Sequence, residues 1–298
     1  MTQSRSYFGF AFLWLFSAAI LWHFLFQTLA QAVRNDEFTH ILLILPISTA
    51  LILSQWAPPG HPWEFRNLWA ASWLFAVGCL LAVSTTLSNA WHTPDVRLAI
   101  GMLALVVFWI AAFVLCFGTR AARSQLFPLC FLFWLVPIPS FALVRIVQVL
   151  QRGSALAAWL LFSAARVPAS LQGIFLSIPG LDIEVARECS SIRSSLMLLV
   201  TTMVLAHVLL RTPWRKTILV LLAVPLSVFK NGLRVFTITM LGTRVDRRFL
   251  SGWLHRQGGG VFFLIALSMI LAFLWLLRRS EARAARLALG SREVLIPS

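Results

Sequence analysis

Residues 184–199 read EVARECSSIRSSLMLL. A polar cluster carrying one cysteine, Cys189, stops abruptly at an apolar run that continues to Leu210. That run is about as long as a membrane-spanning helix, which needs roughly 20 mostly apolar residues. The junction is therefore a membrane–water boundary, and the fold it implies is built from helices that cross a bilayer. A thiol at that boundary is wet enough to react. It is also close enough to lipid to meet a substrate anchored in the same membrane.

The rest of the chain fits that reading. Of 298 residues, 59% are hydrophobic and 12% charged, and the mean hydropathy is +0.85. Charged residues make up about 25% of an ordinary globular chain, so the composition excludes a soluble domain and predicts an all-α polytopic membrane protein. The first apolar run follows Arg5 without a small-residue cleavage pattern and reads as a retained span. The net charge of +15 on its own suits nucleic acid, but the basic residues lie mostly between apolar runs and in the tail, where they act as topology signals, and no nucleic acid is expected. Cys79, Cys116 and Cys130 lie inside apolar runs and read as small hydrophobes. No cysteine pair has the spacing of a metal site, so neither a metal nor a cofactor is expected.

Apolar runs at 7–30, 38–55, 68–88 and 96–117 read as four spans, separated by RNDEFTH, the Pro58-Pro59-Gly60 stretch, SNAWHTPD and GTRAARS. The run 125–138, QLFPLCFLFWLVPI, is short and carries prolines; it either crosses the bilayer or dips into it. From Phe141 to Arg166, arginines at 145, 152 and 166 interrupt apolar residues at near-helical spacing. This suits an amphipathic helix in the interface, the alternative being a buried span whose arginines find partners. IFLSIPGLDIEVA (174–186) has Pro179-Gly180 between two β-prone runs and reads as a hairpin leading into Cys189. Spans at 190–210, 217–242 and 260–277 follow, and the tail from Arg278 is basic. Eight spans in a single domain, 1–298, put both termini on one side. The larger share of basic residues, including Arg120, Arg123, Arg211, Arg215, Lys216 and the tail, then marks that side as cytoplasmic. Cys189 and the 244–256 loop face outward, as do most of the acids, Glu188 among them.

Reactive cysteines favour the thiolate through a nearby cation or a helix N-terminus. Cys189 precedes the 190–210 span, and Arg193 lies one turn away on the same face. Taken alone it is equally a small residue at a helix boundary. Within 217–242 lies KNGLR, residues 230–234. A cation facing lipid at the centre of a helix costs about 2.5 kcal/mol or more. Arg234 thus either snorkels to the outer interface or faces a polar site, and Asn231 on the same face favours the site. Lys230, one turn below, suggests a pairing with an acid. His255 lies in the outer loop before Gly258-Gly259-Gly260, at the level of Cys189, and histidine suits proton transfer near neutrality. A lone loop histidine is otherwise simply solvated. His40 in RNDEFTH is a support at most.

Taken together, NDEFTH, PLCFLFWLVPIPSFALVRIVQVLQ, QGIFLSIPGLDIEVARECSSIRSS, NGLR and GWLHRQGGGVFF resemble the exosortase/archaeosortase family, and bacterial exosortases in particular, over residues 34–279. Cys189, Arg234 and His255 match that family's cysteine, arginine and histidine. One departure is Ser191, where the family often has glycine. The resemblance implies a cysteine protease-like transpeptidase acting at the outer face of a bacterial inner membrane. Its substrates are exported proteins with a C-terminal Pro-Glu-Pro-like motif, one membrane helix and a basic end, and the acceptor is water or an envelope glycan or lipid. The same residues also fit a transporter, since intramembrane cations mark conduction paths, or a non-catalytic scaffold for envelope polysaccharide assembly. Against the transporter, no matching Gly/Pro-interrupted pair of spans occurs.

Overall fold

The structure is a computed structural model and describes residues 2–56, 68–87, 93–185, 192–246, 248 and 259–293. Its contacts group into two compact units, Met1–Leu143 and Val144–Ser298. Seven of the described helices are long and apolar enough to cross a membrane, or eight if a bent pair near the start counts as one span.

In the first unit, α5 (Pro94–Ser124) is the axis. It is the most buried of the candidate spans, and its helical geometry breaks at Gly118, where the sequence ended the fourth span. Two helices lie against it in antiparallel order: α1 (Thr2–Ile20) and α2 (Trp22–Arg34). Trp14 stacks on Trp109 and Phe10 meets Phe113 edge-on. The Phe24 ring lies where a side chain on Gly101 would stand. The sequence read 7–30 as one span; the structure bends it by 78° at Leu21. Leu21 is buried, and the bend carries neither proline nor glycine, the usual markers of a kink. α4 (Leu68–Leu87) also packs along α5, with Phe108 over Gly78.

The short run 125–138 forms α6 (Leu126–Phe131) and a 3-10 turn, Leu132–Leu135. Its course follows from its partners along α3 (Ile41–Ser54). Gln125 Nε2 donates to the carbonyl of Gln55, and Ser48 Oγ donates to the carbonyl of Pro128. The Trp134 ring reaches His40. The segment therefore runs back along the whole of α3. At its end the amide of Ser140 donates to the Asp95 carboxylate, at 2.6 Å, level with the start of α5.

In the second unit, α7 (Ser140–Ala164) and α9 (Pro213–Arg244) run side by side. Gly153 faces Val228, Gly232 faces Ala157 and Ala158, and Phe162 meets Phe236. The pairs advance in step, so the two helices point the same way. A Cβ on Gly232 would lie 2.5 Å from the Cβ of Ala157; only hydrogen fits. α7 is also long and apolar enough to be a candidate span, and Arg145 and Arg152 lie exposed on the face turned from its packing residues.

Beyond α7 stands a three-stranded antiparallel sheet, β1 (Ser170–Gln172), β2 (Phe175–Ile178) and β3 (Leu181–Glu184), in the order β1-β2-β3. Ile178 pairs with Leu181 across Pro179-Gly180. Gly180 has φ +82°, the backbone that the second central position of a type II turn requires. Leu176 and Ile178 turn inward, and with Ala155, Ala158, Phe162 and Val235 they form the core between sheet, α7 and α9. The sequence showed the second hairpin; β1, at three residues too short to carry a strand signal, is an addition.

α8 (Ile192–Leu209) and α10 (Gly259–Glu293) complete the unit. A second core joins Leu198, Ala206, Leu219, Ala223, Ala266 and Ile270 of α8, α9 and α10. At the end of this bundle, Glu281 of α10 closes the turn between α8 and α9. Its carboxylate accepts the amides of Thr212 (2.8 Å) and Arg211 (3.2 Å) and pairs with Arg215 at 3.7 Å. An anion there suits the positive N-terminal end of α9.

Candidate functional site

The C-terminal half of α9 carries the polar residues singled out in the sequence. Its packed stripe runs through Ala223, Ser227, Lys230, Asn231, Arg234, Val235 and Ile238, residues three and four apart that share one helical face. Lipid-facing positions such as Leu221 and Val224 are exposed apolar residues. Arg234 is 8% exposed and Asn231 wholly buried. Of the two orientations the sequence left open for Arg234, it takes the inward one.

Lys230 has a partner that the sequence did not supply. Instead of an acid, its Nζ donates to Ser194 Oγ in the first turn of α8. A buried ammonium needs such donors satisfied, because burial without a partner costs several kcal/mol. Beside it, Ser195 is buried, and its hydroxyl has no partner among the described residues. Arg193 is exposed. Two cations, an amide and two hydroxyls thus gather where the start of α8 meets α9. Chemically, such a set holds a negative charge, and Arg234 brings a planar fork of donors to it.

A further anchor lies on α7. Buried Gln151 donates from Nε2 to the carbonyl of Val185, at 3.0 Å, while the Val185 amide donates to Ile174. Val185 is wholly buried and ends the described chain before the cysteine stretch. In sequence, Gln151 is one polar position on an amphipathic helix, and nothing marks it as a tether. Cys189, Glu188 and His255 lie outside the described residues.

His40 belongs to the first unit. It precedes α3, is 2% exposed, and packs edge-on to Trp134. Arg234, Asn231, Lys230 and Arg193 all belong to the second unit. Among the described residues, no group of three or more His, Cys, Asp or Glu side chains gathers to hold a metal ion.

Compared with protein-family models, residues 32–272 match the transmembrane exosortase family, Exosortase_EpsH. No curated protein and no solved structure matches the chain.

Proposed function

The chain belongs to the transmembrane exosortase family, membrane sorting enzymes whose substrates carry C-terminal sorting signals, and on that footing we propose that Cys189, His255 and Arg234 are its catalytic residues. The thiolate of Cys189 attacks the scissile carbonyl of a membrane-anchored substrate at a Pro-Glu-Pro-like motif. The C–N bond breaks, His255 gives a proton to the leaving amine, and the exported protein stays on the enzyme as a thioester. An acceptor, water or an amine or hydroxyl of an envelope glycan or lipid, then attacks the thioester and loses its proton to His255. Arg234 stabilises the negative charge that develops on the carbonyl oxygen in both steps. Arg193 and Glu188 flank the thiol in sequence, and Asn231 lines the same face as Arg234.

One observation carries this reading: the bond from Lys230 to Ser194 sets the register of α8 against α9. α8 and α9 are antiparallel neighbours joined by a turn of three residues. Arg234 lies one turn beyond Lys230 along α9. A helix rises about 1.5 Å per residue, so Arg234 lies about 6 Å beyond the Lys230–Ser194 bond, toward the end at which α8 begins, and Cys189 precedes that beginning by three residues in the sequence.

In the membrane, this reading puts the sheet end of the second unit on the outer face of a bacterial inner membrane. Both termini and the turn between α8 and α9 lie inside. A substrate held by its own membrane helix meets the thiol in that plane, which supplies much of the orientation that a bimolecular step lacks.

The test is co-expression with a tailed substrate. The intact enzyme removes the substrate's C-terminal helix. Cys189→Ala abolishes that cleavage while the protein accumulates normally in the membrane. A fully active Cys189→Ala enzyme would overturn the mechanism.

A further inference from the structure

At the end of the second unit formed by the α8–α9 turn, a cavity of about 620 Å³ opens between that turn and α10. Arg211, Arg215 and Arg278 line it, each from a different element, and Glu281 is its one acidic residue. Glu281 is already committed: its oxygens take the Arg211 and Thr212 amides and face Arg215. The positive end of α9 is thereby closed, and what remains in the cavity is an excess of guanidinium charge. Arg215 Nε is buried and has no hydrogen-bond partner among the described residues. The Arg211 and Arg278 guanidiniums form no ion pair among the described residues.

Two aromatic residues fix the depth. Trp214 and Trp275 are half exposed beside the cavity; Arg215 lies over the Trp214 ring and Arg279 over the Trp275 ring, at 5.1 and 3.6 Å. Tryptophan concentrates where lipid headgroups meet hydrocarbon. Guanidinium forks match phosphate oxygens, often two at a time. We propose that this cavity binds a phosphate group, that of an anionic phospholipid headgroup. The phosphate reaches Arg211 and Arg278 and offers an acceptor to Arg215, while the acyl chains run down the apolar face of α10. The site lies at the far end of α8 and α9 from the start of α8, and it does not depend on the catalytic proposal.

The experiment follows thermal unfolding of the purified full chain in detergent, titrated with phosphatidylglycerol, phosphatidylcholine or inorganic phosphate. Phosphatidylglycerol raises Tm saturably and the other two do not. In Arg211→Gln/Arg278→Gln the half-saturating phosphatidylglycerol concentration rises about fivefold per arginine, the usual weight of one cation near an anionic membrane surface. Both arginines are exposed, and the variant's Tm in phosphatidylcholine equals the parent's. Arg283→Gln/Arg286→Gln removes two exposed charges of the same basic helix outside the cavity and leaves the titration unchanged. Equal weakening in the two double variants would reduce the effect to diffuse attraction and overturn the site. So would a phosphatidylglycerol response no larger than that of phosphatidylcholine. A response to inorganic phosphate as large as that to phosphatidylglycerol would overturn the lipid as its source.

Discussion

Lys230 and Arg234 stand one turn apart on the same buried stripe and have different tasks. Lys230 fastens α9 to the first turn of α8; in the proposed mechanism Arg234 is the cation that meets the reacting carbonyl. Arg234→Ala is expected to lower substrate cleavage by roughly a hundredfold or more, the usual cost of removing one donor to an oxyanion. Arg234→Lys is expected to recover little, because a compact ammonium lacks the planar fork. Cleavage normalised to membrane abundance measures both, and an active lysine variant would show that charge alone suffices. His40→Ala is expected to leave that normalised cleavage substantially intact, with its effect falling on abundance, since the ring fills a buried space against Trp134. At this scale the sequence was informative about types and faces: Arg234 and Asn231 three apart within an apolar run already implied a shared polar surface. It was silent on Ser194 as partner to Lys230 and on Gln151 as tether to Val185. Both depend on how one element is set against another, α8 on α9 and the residue after β3 on α7, and helical periodicity carries no such register.

At the scale of elements, the sheet and the turn that closes it offer the clearest test. A side chain at Gly180 would meet nothing within 4 Å, so the cost of Gly180→Val is backbone strain alone, about 1–2 kcal/mol for a residue forced to positive φ. We expect cleavage to fall more than abundance, because the sheet runs directly toward the cysteine stretch and its edge suits an extended peptide. Unchanged cleavage would remove the sheet from substrate guidance. Arg166, just past α7, gives the converse case: it holds φ +56° without being glycine. Arg166→Gly is expected to stabilise the protein by about 1 kcal/mol, read as a rise in Tm; a fall would mean that the arginine side chain compensates the strain. The sequence marked the Pro179-Gly180 hairpin because proline and glycine are local signals. The bend at Leu21 left no such mark: it falls in a run of mostly apolar residues with neither proline nor glycine. The course of 125–138 was equally hidden: its length of helix is too short to decide, and only the contacts with Gln55, Ser48 and Asp95 carry it along α3.

For the whole molecule, insertion follows the basic residues. A reporter enzyme active only outside the cytoplasm is expected to work when fused at Asp182, and to fail after Arg215 or at Ser298. The reverse pattern would put the cysteine inside and end the sorting proposal. A fusion near the first residues is expected to fail as well, since the proposed topology puts both termini on one side. An active one would make α7, which lies in step with α9, a further crossing.

The closure of the α8–α9 turn by Glu281 has a consequence for biogenesis. The carboxylate arrives 70 residues after the Arg211 amide it accepts, so a ribosome finishes that hairpin long before its clasp exists. Until α10 is synthesised, Arg215 and the two amides face water and headgroups without their counter-charge. Fastening the clasp then reports that the last helix has entered the membrane. A chain halted before residue 281, or one carrying Glu281→Ala, would remain in the unfastened form and is expected to accumulate less in the membrane.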